Sequence, residues 1–299
     1  MNPENQLIQL FVWVCQAYDK HPTLKYQRWS NNPTPPLFSD QEMVTIYLFG
    51  LLQGHFKQTA IHRYIATHWA AWFPQLPSYQ AFNHRLNLLH EIWPVLLGEL
   101  WCALGCPAAG AADGLDQLLD SLPIMLAVRA RSYHAQVACD QADQGYCESK
   151  KLWYYGLKLH LLGAKQYQHI PLPLSLCFTE ASRHDLPLLK EQVFAPWPGV
   201  LFGDKAYQDQ STEERLAAQG TALCTPDKKA QGQTVYPVGH SGLWSRFVSA
   251  MRQPIESFFN WLIAKTDIQN ASKVRSSDGL QVHCYGKLTA AFYLLCFNP

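Results

Sequence analysis

The spacing of apolar residues changes at Cys106-Pro107-Ala108-Ala109-Gly110-Ala111-Ala112, and no single layer of secondary structure accommodates both sides of that change. Ahead of this small-residue stretch, apolar positions recur at helical spacing. Behind it, strand-length apolar runs alternate with helical segments. The pattern predicts an all-helical domain over residues 1–105 and an α/β core with a mixed sheet over residues 113–299. A length of 299 residues accommodates two ordinary domains, and 48% hydrophobic against 16% charged residues is the balance of a folded chain.

In the first part, Ser39-Asp40-Gln41-Glu42 is a capping-box pattern, leading into an apolar stretch through Leu52 that Gly54 can close. A second helix starts after Pro77-Ser78. Phe82, Leu86 and Leu89 share one face of it, while Gln80, Asn83, His84 and Arg85 lie off that face, as in a helix that reads DNA. A solvated face on an ordinary bundle helix has the same pattern.

In the second part, strands are expected at 155–162, 170–178, 200–202 and 221–225, with helices around 185–194, 211–219 and 254–265. Three carboxylates stand out against this frame. Asp120 and Asp204 end apolar runs, Leu118-Leu119 and Val200-Leu201-Phe202-Gly203, where buried strands would leave the core. Gly203 permits a tight turn, and Lys205 sets a cation beside the acid. Pro254 suits a first helical turn, which would place Glu256 at the third helical position. Val248, Met251, Ile255, Phe258 and Leu262 form an apolar stripe that Glu256 flanks. Hard acidic oxygens delivered to one edge of a sheet suit a pair of Mg²⁺ ions open to phosphate oxygens. Taken singly, Asp120 and Asp204 also fit turn residues, and Glu256 also fits a support for its own helix terminus.

The formal net charge of +1 confines any nucleic-acid surface to a local patch. Between positions 244 and 275, Arg246, Arg252, Lys265, Lys273 and Arg275 face only Glu256 and Asp267, and Lys228 and Lys229 extend the excess. A solvated basic face is the alternative. Trp153, Trp244 and Trp261 suit either base stacking or core packing. Other chemistries lack their signatures. His134, Cys139, Cys147 and His160 have no paired zinc spacing, and neither a Gly-x-Ser-x-Gly elbow nor a phosphate-cradling loop is present. Nine cysteines without paired spacing read as reduced thiols. Together with a start lacking a signal-type segment and no apolar run near eighteen residues, they point to a cytoplasmic protein without a membrane span.

The blocks Asp120-Ser121-Leu122-Pro123-Ile124, Tyr146-Cys147-Glu148-Ser149-Lys150-Lys151, Tyr154-Tyr155-Gly156-Leu157-Lys158-Leu159-His160, Ala181-Ser182-Arg183-His184-Asp185, Gly203-Asp204-Lys205-Ala206-Tyr207 and Arg252-Gln253-Pro254-Ile255-Glu256 occur in that order. In order and context they resemble the DDE transposases of bacterial insertion sequences, over about residues 116–290. The run Leu76-Pro77-Ser78 with Phe82-Asn83-His84-Arg85-Leu86 is similar to the helical segment that precedes the catalytic core there. The resemblance implies an RNase H-like fold with the first acid on the first strand, the second just after the fourth, and the third on a following helix. It implies that Asp120, Asp204 and Glu256 hold two Mg²⁺ ions, with Mn²⁺ as a substitute, and that Arg252 touches phosphate near the cut. Its implied partners are double-stranded DNA, as terminal inverted repeats and as target, and a second copy of the chain on paired ends. Lys205, Lys228, Lys229, Arg85 and Lys265 are the further DNA-contact candidates. The tyrosine common three residues before that arginine is Ser249 here, and the lysine common seven after the glutamate is Ile263, with Lys265 nearby. His184 and Asp185 match a block of the family and also suit a helix start. The alternatives to cleavage with strand transfer are a repurposed DNA-binding protein that does not cut and a stand-alone metal-dependent nuclease.

Overall fold

The computed structural model describes residues 2–26, 36–105, 114–227 and 240–297. Helices α1 (Pro3–Lys20), α2 (Pro22–Tyr26), α3 (Asp40–Leu52), α4 (Gln58–His68), α5 (Tyr79–Leu88) and α6 (Ile92–Ala103) come first. Strands β1 (Leu115–Val128), β2 (Asp143–Cys147), β3 (Leu152–Ala164) and β4 (Leu172–Glu180) follow. Then come α7 (Leu186–Lys190), β5 (Gly199–Phe202), α8 (Gln210–Ala218), β6 (Thr221–Cys224), α9 (His240–Thr266), α10 (Ser277–Gln281) and α11 (Lys287–Phe297).

The chain divides into two compact units, residues 1–105 with 262–299, and residues 106–261. The first boundary falls in the small-residue stretch. The second corrects the sequence division, which gave everything from 113 to 299 to the α/β core. Helix α11 explains the difference. It is apolar and buried nearly all round, from Lys287 to Tyr293, so it needs helices on several sides. The ring of Phe292 stacks on Trp101 at 5.2 Å, and Thr289 and Cys296 bond to the carbonyls of Trp93 and Leu100 on α6.

Helix α3 is the centre of the first unit, buried without a break from Met43 to Leu51. Its capping box is formed, with Ser39 Oγ accepting from the Glu42 amide at 3.2 Å and the Glu42 carboxylate from the Ser39 amide at 2.7 Å. Gly54, at φ +82°, closes its other end as expected.

The second unit is built on a sheet ordered β2-β3-β1-β5-β6, with β4 also on β3. Strand β3 pairs antiparallel with β1 along one edge and with β2 and then β4 along the other, whereas β1–β5 and β5–β6 are parallel. This is an RNase H-like core preceded by a helical region. On one face, Leu119, Leu162 and Leu201 pack with Leu188, Leu189 and Phe194 from the α7 region, Tyr207, and Leu216 of α8. Strand β1 is longer than its apolar run suggested and carries Asp120 in mid-strand. Its proline, Pro123, lies beyond the stretch paired to β5, a one-sided setting in which strands tolerate proline. Gly156 of β3 admits no side chain, because a Cβ there would stand 2.0 Å from the Ile124 carbonyl oxygen.

Helix α9 departs most from expectation. It begins at His240, so Pro254 lies inside it and Glu256 is not near a helix N-terminus. The apolar stripe already contained the reason: Val248 and Met251 lie upstream of Pro254 and keep the same spacing as Ile255 and Phe258.

Candidate active site

The parallel ladder between β1 and β5 runs Asp116↔Val200, Gln117↔Leu201, Leu118↔Phe202. Continuing this register by two residues sets Asp120 opposite Asp204, just past the end of β5. Asp204 is the cap of a single 3₁₀ turn, Lys205–Tyr207, its carboxylate accepting from the Ala206 amide. Gly203 serves packing rather than a special backbone angle. A Cβ there would press on the Tyr207 ring at 3.1–3.4 Å, and that ring sits in the core beneath the turn.

Asp120 receives the Ser121 amide on Oδ1 at 2.8 Å and the Arg252 guanidinium on Oδ2 at 2.9 Å. Burial pushes its carboxyl up to about 6; Arg252 and the Ser121 amide oppose this, and the charges of Asp204 and Asp185 add to it. An acid crowded by two others and only partly neutralised by one arginine favours an additional cation. The donors are hard carboxylate oxygens, so the pair Asp120 and Asp204 fits a divalent ion such as Mg²⁺.

Arg252 reaches the site from α9, with a side chain 11% exposed and a buried Nε that has no hydrogen-bond partner among the described residues. Glu256 is four residues further along the helix, hence on the same face as Arg252, and is exposed. Among the described residues no group of three or more His, Cys, Asp or Glu side chains stands together as a metal site. The structure thus joins Asp120, Asp204 and Arg252, and leaves Glu256 one helical turn outside.

On the reverse face of β1 lies a polar group that the sequence reading did not assemble. Ser121 pairs across the ladder with His160, and Pro123 with Lys158. Alternation along a strand therefore puts Ser121, His160 and Lys158 on the face opposite Asp120. Asp185, from the loop before α7, accepts from Lys158 Nζ at 3.1 Å and Ser121 Oγ at 3.2 Å. All four residues sit in the blocks quoted above. The missing signal was the register, which sequence alone does not give.

The other candidates separate. Lys205 is exposed beside Asp204. Lys265 is exposed near the end of α9, in the part of the chain assigned to the first unit. Arg85 turns inward, its guanidinium held by Asp40 and the Phe38 carbonyl, so the off-stripe position expected to face a groove serves an internal ion pair. Lys228 and Lys229 lie outside the described residues. Trp244 donates its indole N–H to the Thr225 carbonyl, whereas Trp153 remains half exposed against Tyr146, ring centroids 5.3 Å apart. No helix among the described residues is long and apolar enough to cross a membrane.

A family model described as a transposase DDE domain matches residues 109–276, more than half of the chain. No curated protein and no solved structure matches.

Proposed function

We propose, for a chain that belongs to the DDE transposase family, that Asp120, Asp204 and Glu256 form the metal-holding acids of a DNA strand-cleaving and strand-transferring site. The observation that carries this reading is the β1–β5 register, which sets Asp120, within β1, beside Asp204, just past the end of the parallel strand β5. Glu256 would join them from α9, coming from the helix face that already delivers Arg252. Two Mg²⁺ ions held there, or Mn²⁺ in their place, would supply an activated water or 3′-hydroxyl and stabilise the leaving 3′-oxygen.

The protein's own groups have distinct parts. Asp120 and Asp204 are ligands fixed by the sheet. Arg252 neutralises Asp120, and its unpartnered Nε leaves it a donor for a phosphate oxygen. Lys205, Lys265, Lys228 and Lys229 would add backbone contacts. The substrate would be double-stranded DNA, first the terminal inverted repeats of an insertion sequence and then a target, with two copies of the chain holding paired ends in the cytoplasm.

The test is nicking of labelled duplexes made from the DNA flanking the gene, with Mg²⁺ and with chelator, by the chain and by Asp204→Asn. Metal-dependent cuts at a defined end, lost in the variant, are expected. Specific binding without cutting would favour a repurposed DNA-binding protein. Cutting without joined products would favour a nuclease.

A further inference from the structure

We propose that Asp185 and Lys158 form a charge-balanced pair on the reverse face of β1 that positions Asp120 and sets its affinity for a divalent cation, Asp185 being a positioning residue and not a metal ligand. The inference rests on the reading of Asp120 as a metal-holding acid.

Ser121 is the link. Its amide donates to the Asp120 carboxylate at 2.8 Å, and its hydroxyl donates to Asp185 at 3.2 Å. One residue thus joins two carboxylates that lie on opposite faces of the strand. Asp185 occupies the cap position of α7, yet its side chain makes no cap hydrogen bond. The plain explanation of an aspartate at a helix start therefore fails here. Its carboxylate goes instead to Lys158, and both side chains are more than four-fifths buried. Lys158 donates a second bond to the Arg183 carbonyl at 2.7 Å, which fixes the ammonium in place.

The other groups facing this pair do not cancel it. His160 is fully buried, bonded through Nε2 to Thr179 Oγ1 at 2.8 Å, with Nδ1 3.9 Å from Asp185. Burial holds it neutral, down to about 4. Arg183 is paired with Glu191. Tyr207, in the core on this face, is uncharged, since burial raises it well above its ordinary value. The local balance is therefore one lysine against one aspartate. Either partner alone leaves an uncompensated charge behind Asp120, and the two singles should act in opposite directions. Loss of the anion leaves a cation that repels metal, and loss of the cation leaves an anion that attracts it.

Calorimetric titration of the full-length chain with Mn²⁺ tests this. Asp185→Asn should weaken binding roughly tenfold, Lys158→Met should strengthen it a few-fold, and the double variant should return to within about threefold of the parent. A purely structural role would make both singles weaken binding and the double no better, and that result overturns the proposal. Ser121→Ala alters neither charge, and should weaken binding less than Asp185→Asn does; weakening equal to it would also overturn the proposal. If a single does not fold, the double variant and Ser121→Ala carry the test. Parent binding that survives Asp120→Asn, or no binding at all, overturns the metal reading itself. Parent binding that requires Asp120, with both singles shifted the same way, overturns only the role of the pair.

Discussion

Each unit of this protein holds an arginine paired with an aspartate, and the two pairs differ in how completely they are made. Arg85, in the helical unit, gives its Nε to Asp40 at 3.1 Å, a second nitrogen to the same oxygen, and a third to the Phe38 carbonyl. It ties α5 to the start of α3. Arg252, in the α/β unit, gives one nitrogen to Asp120 and keeps a buried Nε without a partner among the described residues. A saturated pair holds a scaffold. A half-made pair beside a crowded carboxylate has bonding capacity left for a ligand, at a cost in stability that a finished scaffold would not carry. Both arginines read alike in the sequence, as cations near polar positions; only their partners distinguish them.

The largest expected effect tests that distinction directly. Both side chains of the Arg85 pair are over four-fifths buried, so Arg85→Ala should cost about 3 kcal/mol in urea unfolding, by removing the bonds that tie α5 to Asp40 and to the Phe38 carbonyl. Mg²⁺ should restore none of it. Arg252→Ala should also destabilise the metal-free chain, but Mg²⁺ should recover much of that loss, because a bound cation would do for Asp120 what the guanidinium did. Equal responses to Mg²⁺ would erase the difference between the pairs.

Local signals were the legible ones. The capping box at Ser39 and Glu42 involves residues three apart, and β3 to β6 each coincide with an apolar run. What failed depended on distant partners. Strand β2, Asp143–Cys147, is short and polar, and it exists because β3 offers it an edge. The residues after 262 looked like a continuation of the α/β core, but a helix buried on all sides is placed by whichever helices surround it. The acid at 204 was legible as a strand-exit residue, whereas the one at 120 sits within a strand that runs on past its apolar run, and the proximity of the two followed from register. The lysine and serine behind Asp120 were not, because Lys158 and Asp185 are separated by a loop and a strand and meet only through the fold.

A second comparison between the units lies in their buried histidines. Burial pushes His283, in the helical unit, down to about 3, and its Nε2 meets the Ile268 carbonyl at 2.7 Å. His160, in the α/β unit, is pushed down to about 4 by the same cause. Both are neutral in the folded protein where an exposed histidine at about 6.5 would begin to take up a proton. Below that pH the unfolded chain binds protons that the folded chain does not. Stability is therefore complete above about 6.5 and falls as pH drops towards the folded values, by about 1.4 kcal/mol per pH unit for each histidine once well below 6.5. Urea titrations at pH 6.5, 5.5 and 5 should show the histidine part of this slope halved in His283→Gln and removed by adding His160→Gln. A slope unchanged by either substitution would place the acid sensitivity elsewhere.

The smallest effect concerns the helix that carries Arg252 and Glu256. Pro254 lies between them, where it removes the hydrogen bond its amide would give to residue 250 and presses on that carbonyl. A proline inside a helix otherwise held together by a buried stripe is a stability cost, and such costs persist where geometry is needed. Pro254→Ala should therefore raise stability by about 1 kcal/mol, less than the full interior penalty because α9 runs on unbroken through the proline. The same change resets the backbone between the two side chains and should slow strand cleavage while leaving duplex binding intact. In the helical unit, α3 has no such interruption, and no gain of this kind is on offer there. A variant that is more stable and equally active would show that the proline is incidental, and Glu256 would then need another means of reaching Asp120 and Asp204.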